Sequence, residues 1–332
     1  MIRFGLIGAG RIGQVHALAV QDVPGACITE VVDIVPAAAG QLAARLGAKV
    51  STLEDIFTSD RVDAYIIASS TDTHAPLLER CAAAGKAVFC EKPIDLSYER
   101  ASACSAAIQA VGIPCMLGFN RRFDPQFNAL KQQLDAGAIG KLETLMITSR
   151  DPAPPPIEYI KVSGGLFRDM MIHDFDMARW LLDEEPTKVY ATGSALVDPA
   201  IGAAGDIDTA SVTLSTRSGA IAVISNSRRA SYGYDQRIEA FGEKGMLLAN
   251  NQLENTVQFV GNQGCVAAKP QHFFLERYAD AYRIELTQFV EALQQGKAMP
   301  ATEQDGLAAL RLAEAALQSL QTGQAIQLDK ME

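Results

Sequence analysis

Two aspartates and a histidine are spaced at helical intervals in the stretch GGLFRDMMIHDFDMARWLL, residues 164–182. Read as one helix, the stretch places Asp169, His173 and Asp176 on neighbouring turns of the same face. Imidazole exchanges protons near neutral pH, so His173 is a candidate base for removing a hydroxyl proton. Asp169 is placed to orient that base and Asp176 to accept further hydroxyl groups. The preceding Gly-Gly pair would let chain and substrate approach closely.

A lysine suited to the same chemistry follows a predicted strand. The strand is AVFC (87–90), and the chain continues through Glu91 and Lys92 to Pro93, whose peptide bond is a candidate for the cis form. The carboxyl ends of strands in the middle of a parallel sheet face a bound dinucleotide. A cation there stabilises the alkoxide that develops as hydride leaves an alcohol. From the residues alone, a catalytic Lys92 and an ordinary solvated turn both remain open.

A dinucleotide site is predicted by GAGRIG, residues 8–13, which lies directly between a strand and a helix. Gly8 permits the tight turn, Gly10 lets the backbone approach a pyrophosphate, and Gly13 allows the helix to pack on the strand. The helix N-terminus attracts the phosphates. Asp33 ends the next strand, where a carboxylate accepts ribose hydroxyls and repels a 2′-phosphate. Since Ile34-Val35-Pro36 supply no arginine, we expect NAD rather than NADP.

Further strand ends should line the same cofactor. The predicted cofactor contacts are Gly8, Ala9, Gly10, Arg11, Ile12, Asp33, Ser69, Ser70, Thr71, His74, Glu91, Lys92 and Asn120. At the start of its helix, His74 is interpreted as a hydrogen-bonding residue rather than a catalyst. His16, inside the first helix, is interpreted as structural.

Composition and charge narrow the class of protein. A chain of 332 residues, 48% hydrophobic and 20% charged, is too long for one ordinary core, so we expect two domains. The net charge of −10 argues against nucleic acid and anionic membranes as partners. No apolar run reaches the roughly 18 residues of a membrane span, and no secretion signal is evident. The six cysteines form no C-x-x-C pair, so we expect free thiols in a cytoplasmic protein.

The order of predicted elements indicates an α/β protein. Residues 1–119 alternate strands and helices, which is typical of a Rossmann domain with a doubly wound parallel sheet. Residues 120–332 are predicted to form an α+β domain for substrate binding and oligomerisation. Its closely linked strands indicate a large, mostly antiparallel open sheet, and helices are expected near 274–295 and 302–321. We expect the active cleft between the two domains.

The motifs GAGRIG, EKP and G-G-x-x-x-D-x-x-x-H, in this order, resemble those of the glucose–fructose oxidoreductase/inositol dehydrogenase (Gfo/Idh/MocA) family. The likeness covers the whole chain, and SRDPAPPPIEYIKVSGG and SRRASYGYDQR are most similar to the family's inositol enzymes. The resemblance implies a homotetramer that oxidises myo-inositol at carbon 2 with NAD. It also implies a catalytic set of Lys92, Asp169 and His173. The implied substrate contacts are Lys92, Asn120, Arg121, Asp151, Asp169, His173, Asp176 and Tyr234.

Two departures from some relatives bear on substrate choice. Ser149 stands where those relatives carry a histidine, and Asp151 where they carry an asparagine. Both changes alter how a polyol is held. The alternatives are therefore another inositol isomer (scyllo or D-chiro) or an aldose such as glucose. The many hydroxyl acceptors suit a polyol ring, and the carboxylates disfavour an anionic substrate.

Three other interpretations apply to these residues. Asp169 and His173 also fit a buried helix pair without catalytic function. A metal-dependent hydrolase would use both, with Asp176, as ligands, but the chain has four histidines and no second one at ligand spacing, so no metal is predicted. A sensor that binds NAD without turnover is the remaining alternative.

Overall fold

The computed structural model describes residues 1–328, which divide into two compact units. The first comprises Met1–Phe123 and Ala279–Arg311, and the second comprises Asp124–Tyr278 and the chain from Leu312 on. The sequence predicts a boundary at 119/120 and allows for C-terminal helices that pack back between the domains. In the structure the segment 279–311 belongs to the first unit. Residues 329–332 of the predicted second domain lie outside the described residues.

The first unit contains a six-stranded sheet in the order β3-β2-β1-β4-β5-β6, and every neighbouring pair is parallel. This confirms the predicted doubly wound sheet. Its elements up to Phe123 are β1 (Ile2–Ile7), α1 (Arg11–Gln21), β2 (Ala26–Val32), α2 (Pro36–Leu46), β3 (Lys49–Val50), α3 (Asp55–Thr58), β4 (Ala64–Ile67), α4 (His74–Ala83), β5 (Ala87–Cys90), α5 (Tyr98–Val111), β6 (Cys115–Leu117) and a 3-10 turn at Asn120–Phe123.

Local sequence explains these elements. The central strands β4 and β5 are apolar throughout and buried at every residue, as expected when helices cover both faces of a sheet. Helix α2 begins at Pro36 and ends at Leu46, and the next residue, Gly47, has the left-handed conformation that commonly ends a helix. Because neighbouring strands are parallel, their carboxyl ends lie at the same edge of the sheet, and the polar turns that follow the strands lie there.

The second unit contains a seven-stranded sheet in the order β12-β11-β7-β10-β9-β8-β15. Only β7 and β10 pair in parallel, so the predicted mostly antiparallel sheet is confirmed. The elements between Asp124 and Tyr278 are α6 (Pro125–Asp135), β7 (Leu142–Arg150), α7 (Ile157–Ile160), α8 (Leu166–Asp169), α9 (Ile172–Leu182), β8 (Pro186–Ser194), α10 (Pro199–Ala203), β9 (Thr209–Thr216), β10 (Ile221–Ser227), β11 (Asp235–Gly242), β12 (Gly245–Ala249), β13 (Gln258–Gly261), β14 (Gly264–Ala267) and α11 (Phe274–Arg277). Strands β13 and β14 form a separate exposed hairpin.

The chain closes with α12 (Ala279–Gln295), α13 (Glu303–Thr322) and β15 (Ile326–Gln327). Helix α12 explains why segment 279–311 belongs to the first unit. Phe289 of this helix stacks on Phe4 of β1, with ring centroids 6.0 Å apart, and meets Phe89 of β5 edge-on at 6.1 Å. All three rings are fully buried. Within residues 1–328, no helix combines the length and apolar character that crossing a bilayer requires.

Candidate active site

The glycine turn of the first unit has the geometry that a dinucleotide needs. Gly8 has φ +105°, and a Cβ there would lie 2.5 Å from the carbonyl group of Ala68. A Cβ at Gly13 would lie 2.0 Å from the Gly8 carbonyl oxygen. Around Gly10, by contrast, a Cβ would meet nothing within 4 Å. The first and third glycines are therefore required by packing, and the second leaves backbone open to a ligand.

Helix α1 presents an N-terminus suited to phosphate. Its N-cap is Gly10, with no side-chain cap, and its first turn holds no acidic residue. The first backbone N–H groups of a helix have no partner within the helix, and they carry the positive end of its dipole. Arg11 is exposed beside them and Ile12 is half-buried. The turn, the open glycine and the unopposed helix end together fit the pyrophosphate of NAD.

Asp33 connects this turn to the end of β2. Its Oδ2 accepts a hydrogen bond from the backbone N–H of Ala9 at 2.6 Å, and its Oδ1 accepts one from Val35 at 2.7 Å. The carboxylate is half-buried, whereas Ile34 beside it is 98% exposed. Asp33 therefore braces the glycine turn, a role that the sequence did not predict. A carboxylate has lone pairs beyond these two bonds, so ribose binding remains compatible.

His74 connects two of the predicted strand ends. The imidazole is buried, with Nδ1 2.7 Å from the carbonyl oxygen of Pro93 and Nε2 3.2 Å from that of Ser69. Burial lowers the pKa of His74, which favours the neutral ring. Ser69 also shares a hydrogen bond of 2.6 Å with Thr73. Ser70 precedes the 3-10 turn Thr71–Thr73. A neutral His74 ring has one N–H, so it donates to one of the two carbonyl oxygens, of which that of Pro93 is the nearer.

Lys92 lies just beyond β5, half-buried, and its peptide bond to Pro93 is cis. The residue before it, Glu91, is buried and lies with Oε1 2.6 Å from Nε2 of His16. Burial acts to raise the pKa of Glu91, but the hydrogen bond and charge of His16, together with Lys92, lower it overall. The backbone around Lys92 is therefore held on both sides, by His16 at Glu91 and by His74 at Pro93.

A buried acid that sequence reasoning missed lies behind this turn. Glu285 of α12 is fully buried, and neither carboxyl oxygen has a hydrogen-bond partner. Its Oε1 is 4.0 Å from Nδ1 of His16. Burial, and then the charge of Glu91, raise the pKa of Glu285 well above its ordinary value. The signal was present in the sequence, because Glu285 falls on the stripe formed by Tyr282, Leu286 and Phe289.

Asn120 and Arg121 are buried in the 3-10 turn at the end of the first unit. The next residue, Arg122, pairs with Asp305 at 2.9 Å and donates to the carbonyl oxygen of Pro300 at 3.0 Å. The turn is therefore anchored to the returning segment 279–311. Both predicted contact residues belong to the cofactor unit rather than to the predicted substrate domain.

The stretch 164–182 of the second unit is not a single helix, so that prediction is wrong. Helix α8 ends at Asp169, and α9 begins again at Ile172. The N–H groups of Met170 and Met171 both bond to the carbonyl oxygen of Leu166. Residues 170–172, at the junction of the two helices, are all buried. The interruption therefore separates Asp169 from the helix that carries His173 and Asp176.

Asp169 is held by two residues that the sequence did not single out. Its Oδ1 accepts a hydrogen bond of 2.8 Å from the Tyr159 hydroxyl. Its Oδ2 lies 3.2 Å from both terminal nitrogens of Arg228. Arg228 is 1% exposed and also lies 3.7 Å from Asp206. The sequence signal was indirect, since Arg228 lies in the SRRASYGYDQR run that supported the family resemblance.

The Gly-Gly pair has a local explanation. Gly164 and Gly165 have φ values of +84° and +83°. A Cβ at Gly165 would lie 2.9 Å from Oδ1 of Asp206, and that oxygen accepts the first N–H of α8, from Leu166, at 3.0 Å. The missing side chain therefore makes room for Asp206, where the sequence had suggested room for substrate.

The remaining predicted substrate residues lie on α9 and at strand ends. His173 is half-buried on α9. Asp176, one turn further, is 1% exposed and 3.9 Å from Arg179. Asp151 follows β7 and donates its backbone N–H to Ser227 at 3.0 Å. Tyr234 precedes β11, buried edge-on against Phe273 and Tyr278.

Two further polar residues, Ser149 and Asp174, are buried and hydrogen-bonded. Ser149 is fully buried and hydrogen-bonds Gln236. Asp174 accepts a hydrogen bond of 2.9 Å from Asn226. Among residues 1–328, no group of three or more His, Cys, Asp or Glu side chains is arranged to hold a metal ion.

Comparison with known proteins assigns the class. A family described as "Oxidoreductase family, NAD-binding Rossmann fold" matches residues 2–119, and the GFO/IDH/MocA C-terminal domain matches residues 127–248. The chain therefore belongs to the GFO/IDH/MocA family and is an NAD-dependent oxidoreductase.

Within this family the chain is similar to inositol enzymes. Inositol 2-dehydrogenase of Rhizobium meliloti is 51% identical over 96% of this chain and 97% of that protein. Myo-inositol 2-dehydrogenase of Thermotoga maritima is 44% identical over 99% of both chains. The crystal structure of scyllo-inositol dehydrogenase from Lactobacillus casei with bound NAD(H) and scyllo-inositol is 30% identical. The match covers 99% of this chain and 100% of the Lactobacillus casei chain, with a TM-score of 0.92.

Proposed function

We propose that this protein oxidises myo-inositol at carbon 2 to the ketone 2-keto-myo-inositol (scyllo-inosose), with NAD as the hydride acceptor. The observation that carries the proposal is 51% identity to an inositol 2-dehydrogenase across nearly the whole of both chains. At that identity, similarity extends through the substrate half of the chain as well as the shared cofactor half. We assign the reaction to inositol catabolism.

Each reacting group has one task. The reaction removes a proton and a hydride from one secondary alcohol and gives a ketone, NADH and a proton. NAD, when bound, accepts the hydride. His173 takes the hydroxyl proton, and Asp169, an acceptor that Tyr159 and Arg228 hold in place, balances the charge that His173 gains. Lys92, on its braced turn, stabilises the negative charge that develops on oxygen.

Substrate selection follows from the remaining polar groups. Asp151, Asp176 and Asn120, with Arg121 and Tyr234, are proposed to hold the other ring hydroxyls. Hydrogen-bonding sites of this kind reject analogues that leave a buried polar group unpaired. The carboxylates disfavour anionic substrates, which makes a neutral cyclic polyol the best match. Preference among isomers depends on Ser149 and Asp151, the two positions that differ from some relatives.

NAD is proposed over NADP because of the surroundings of Asp33. Its carboxylate lies at the end of β2, where it would repel a 2′-phosphate, and the next residues, Ile34 and Val35, are exposed and apolar. We also propose that the other predicted cofactor contacts, among them Ala9, Ser69, Glu91 and Asn120, bind NAD.

An NADH-release assay across a panel of substrates tests the function. We expect the highest kcat/KM with myo-inositol and NAD, and no loss of activity with a chelator. A higher kcat/KM with scyllo-inositol, D-chiro-inositol or glucose would replace the proposed substrate. Scyllo-inositol is the favoured second candidate, because the Lactobacillus casei enzyme shares the fold and binds it. NAD binding without NADH release on any polyol would instead indicate a sensor.

We also propose a cytoplasmic homotetramer. Strand register places six large apolar side chains, each 40–53% exposed, on one face of the seven-stranded sheet: Met146, Tyr190, Ile221, Phe241, Met246 and Leu248. An apolar face of this extent favours association with a second copy. Six free thiols suit a reducing compartment.

Light scattering after size exclusion tests the association. Phe241→Asp should reduce the mass of the assembly. Phe259→Asp is the matched control, because Phe259 is exposed on the separate β13–β14 hairpin and the variant should keep the wild-type mass. A monomeric wild-type protein would contradict the proposal. Fractionation of cells that express the protein tests the compartment.

A further inference from the structure

A buried arginine of the second unit lies against the proposed catalytic aspartate. Arg228 follows β10, and its backbone N–H donates to the carbonyl oxygen of Asp208 at 2.8 Å. Its side chain is 1% exposed, and it is the largest side chain buried to this extent within residues 1–328. Burying a guanidinium costs several kcal/mol unless acids compensate it, so the neighbours of Arg228 determine whether the site folds as observed.

Two aspartates, Asp169 and Asp206, lie close to the Arg228 guanidinium. Both terminal nitrogens of Arg228 lie 3.2 Å from the same oxygen of Asp169, and one of them lies 3.7 Å from Asp206. Asp206 also accepts the first N–H of α8, the turn that ends in Asp169. The cation and the second acid therefore act on both the charge and the position of Asp169.

We propose that Arg228 and Asp206 are positioning residues that set the local charge around Asp169 and its orientation. Arg228 places a positive charge against the Asp169 carboxylate. Asp206 adds a negative charge to the same cluster, while its bond to Leu166 fixes the α8 turn. This inference rests on the proposed function, because it assumes that Asp169 acts in the oxidation.

The other groups around Asp169 do not reproduce this balance. Tyr159, on α7, donates a hydrogen bond to the opposite carboxylate oxygen and is uncharged. Arg168, the adjacent residue, lies 3.5 Å from Glu314 of α13. Tyr159 therefore adds no charge at Asp169, and Arg168 pairs with a different acid, whereas Arg228 and Asp206 form one charged cluster with Asp169.

The pH profile of kcat/KM tests the inference, because its acid limb should shift in opposite directions when Arg228 and Asp206 are neutralised in turn. Removing the cation leaves the cluster more negative, so Arg228→Met should move the acid limb of the kcat/KM profile to higher pH and lower kcat about 10- to 100-fold. Arg228→Lys keeps a positive charge and should recover part of both effects. Asp206→Asn keeps an acceptor for Leu166 but removes a negative charge, so its acid limb should move to lower pH.

Arg229→Met is the matched control, because Arg229 is the next residue in the chain and is exposed. Its kcat, KM and pH profile should match those of the wild type. A folded Arg228→Met variant with wild-type kcat and profile would overturn the inference. So would shifts of the same direction in Arg228→Met and Asp206→Asn, since a purely structural disturbance has no reason to change sign.

Failure of the proposed inositol oxidation would give a different result. If the wild-type protein releases no NADH from any inositol, there is no profile to shift, and the proposed function itself fails. If Arg228→Met does not fold, Asp206→Asn alone carries the test. Asp206 is more accessible than Arg228, with 12% of its side chain exposed. An unchanged acid limb in that variant would then overturn the inference.

Discussion

Glu285→Gln should stabilise the protein by an amount that grows with pH. Both carboxyl oxygens of Glu285 are buried without hydrogen-bond partners, and burial together with the charge of Glu91 raises its pKa well above the ordinary 4.5. In the unfolded chain the group ionises near that ordinary value, whereas in the folded protein it keeps its proton to higher pH. Between the two pKa values the folded state therefore binds one proton more than the unfolded state.

The sign and size of the effect follow from this difference. One extra proton in the folded state lowers the free energy of unfolding by about 1.4 kcal/mol for each pH unit between the two pKa values. Glutamine has nearly the same shape and does not ionise, so Glu285→Gln escapes this loss. The two proteins should have similar stability at acidic pH and diverge above it. For a domain of about 150–250 residues, the divergence corresponds to roughly 3–6 °C of melting temperature per pH unit.

Scanning calorimetry of both proteins from about pH 4.5 to about pH 8 measures the divergence, and the pH at which it levels off gives the folded-state pKa. Glu291→Gln on the same helix is the control, because Glu291 is exposed and its variant should show no such trend. The prediction would be wrong if the melting temperatures of wild type and Glu285→Gln changed in parallel with pH. It would also be wrong if the variant were less stable at every pH. Either result would mean that Glu285 has a compensating partner in the folded protein.

Three further predictions concern the cofactor and catalytic residues. Lys92→Ala and His173→Ala should fold, bind NAD and lose kcat by about 10²–10⁴; full activity of the His173 variant in the NADH assay would mean that the base is misassigned. Asp33→Ala should bind NAD more weakly by calorimetric titration, gain relative affinity for NADP, and melt at lower temperature because two backbone N–H groups lose their acceptor; an unchanged cofactor preference would contradict the ribose assignment. Gly8→Ala should abolish NAD binding, since its Cβ would lie 2.5 Å from backbone atoms of Ala68, and wild-type affinity would show that the turn can relax.

Patterns that are local in sequence predicted much of the cofactor unit. The strand, GAGRIG and helix α1 follow from neighbouring residues, and so does the placement of Asp33 after β2. The structure shows that packing requires Gly8 and Gly13 and that His16 and His74 are buried and hydrogen-bonded. It also shows that Asp33 accepts a hydrogen bond from Ala9.

Features that depend on contacts between distant segments escaped the sequence. Helix α12 packs on the first unit through Phe289, which meets rings 200 and 285 residues earlier in the chain. The interruption after Asp169, where the N–H groups of Met170 and Met171 share the carbonyl oxygen of Leu166, leaves the spacing of the polar residues unchanged, so periodicity alone cannot reveal it. The sequence predicted no role for Arg228, which its proximity to Asp169 and Asp206 suggests.

We propose that Lys92 and the Asp169–His173 pair act on one carbon of the substrate. A crystal structure with NAD and myo-inositol bound would test this proposal. The side-chain nitrogens of Lys92 and His173 should both lie within about 2.6–3.2 Å of the oxygen on carbon 2, with that carbon facing the nicotinamide ring. An inositol ring held with a different carbon toward the nicotinamide, or with either nitrogen beyond the reach of that oxygen, would contradict it.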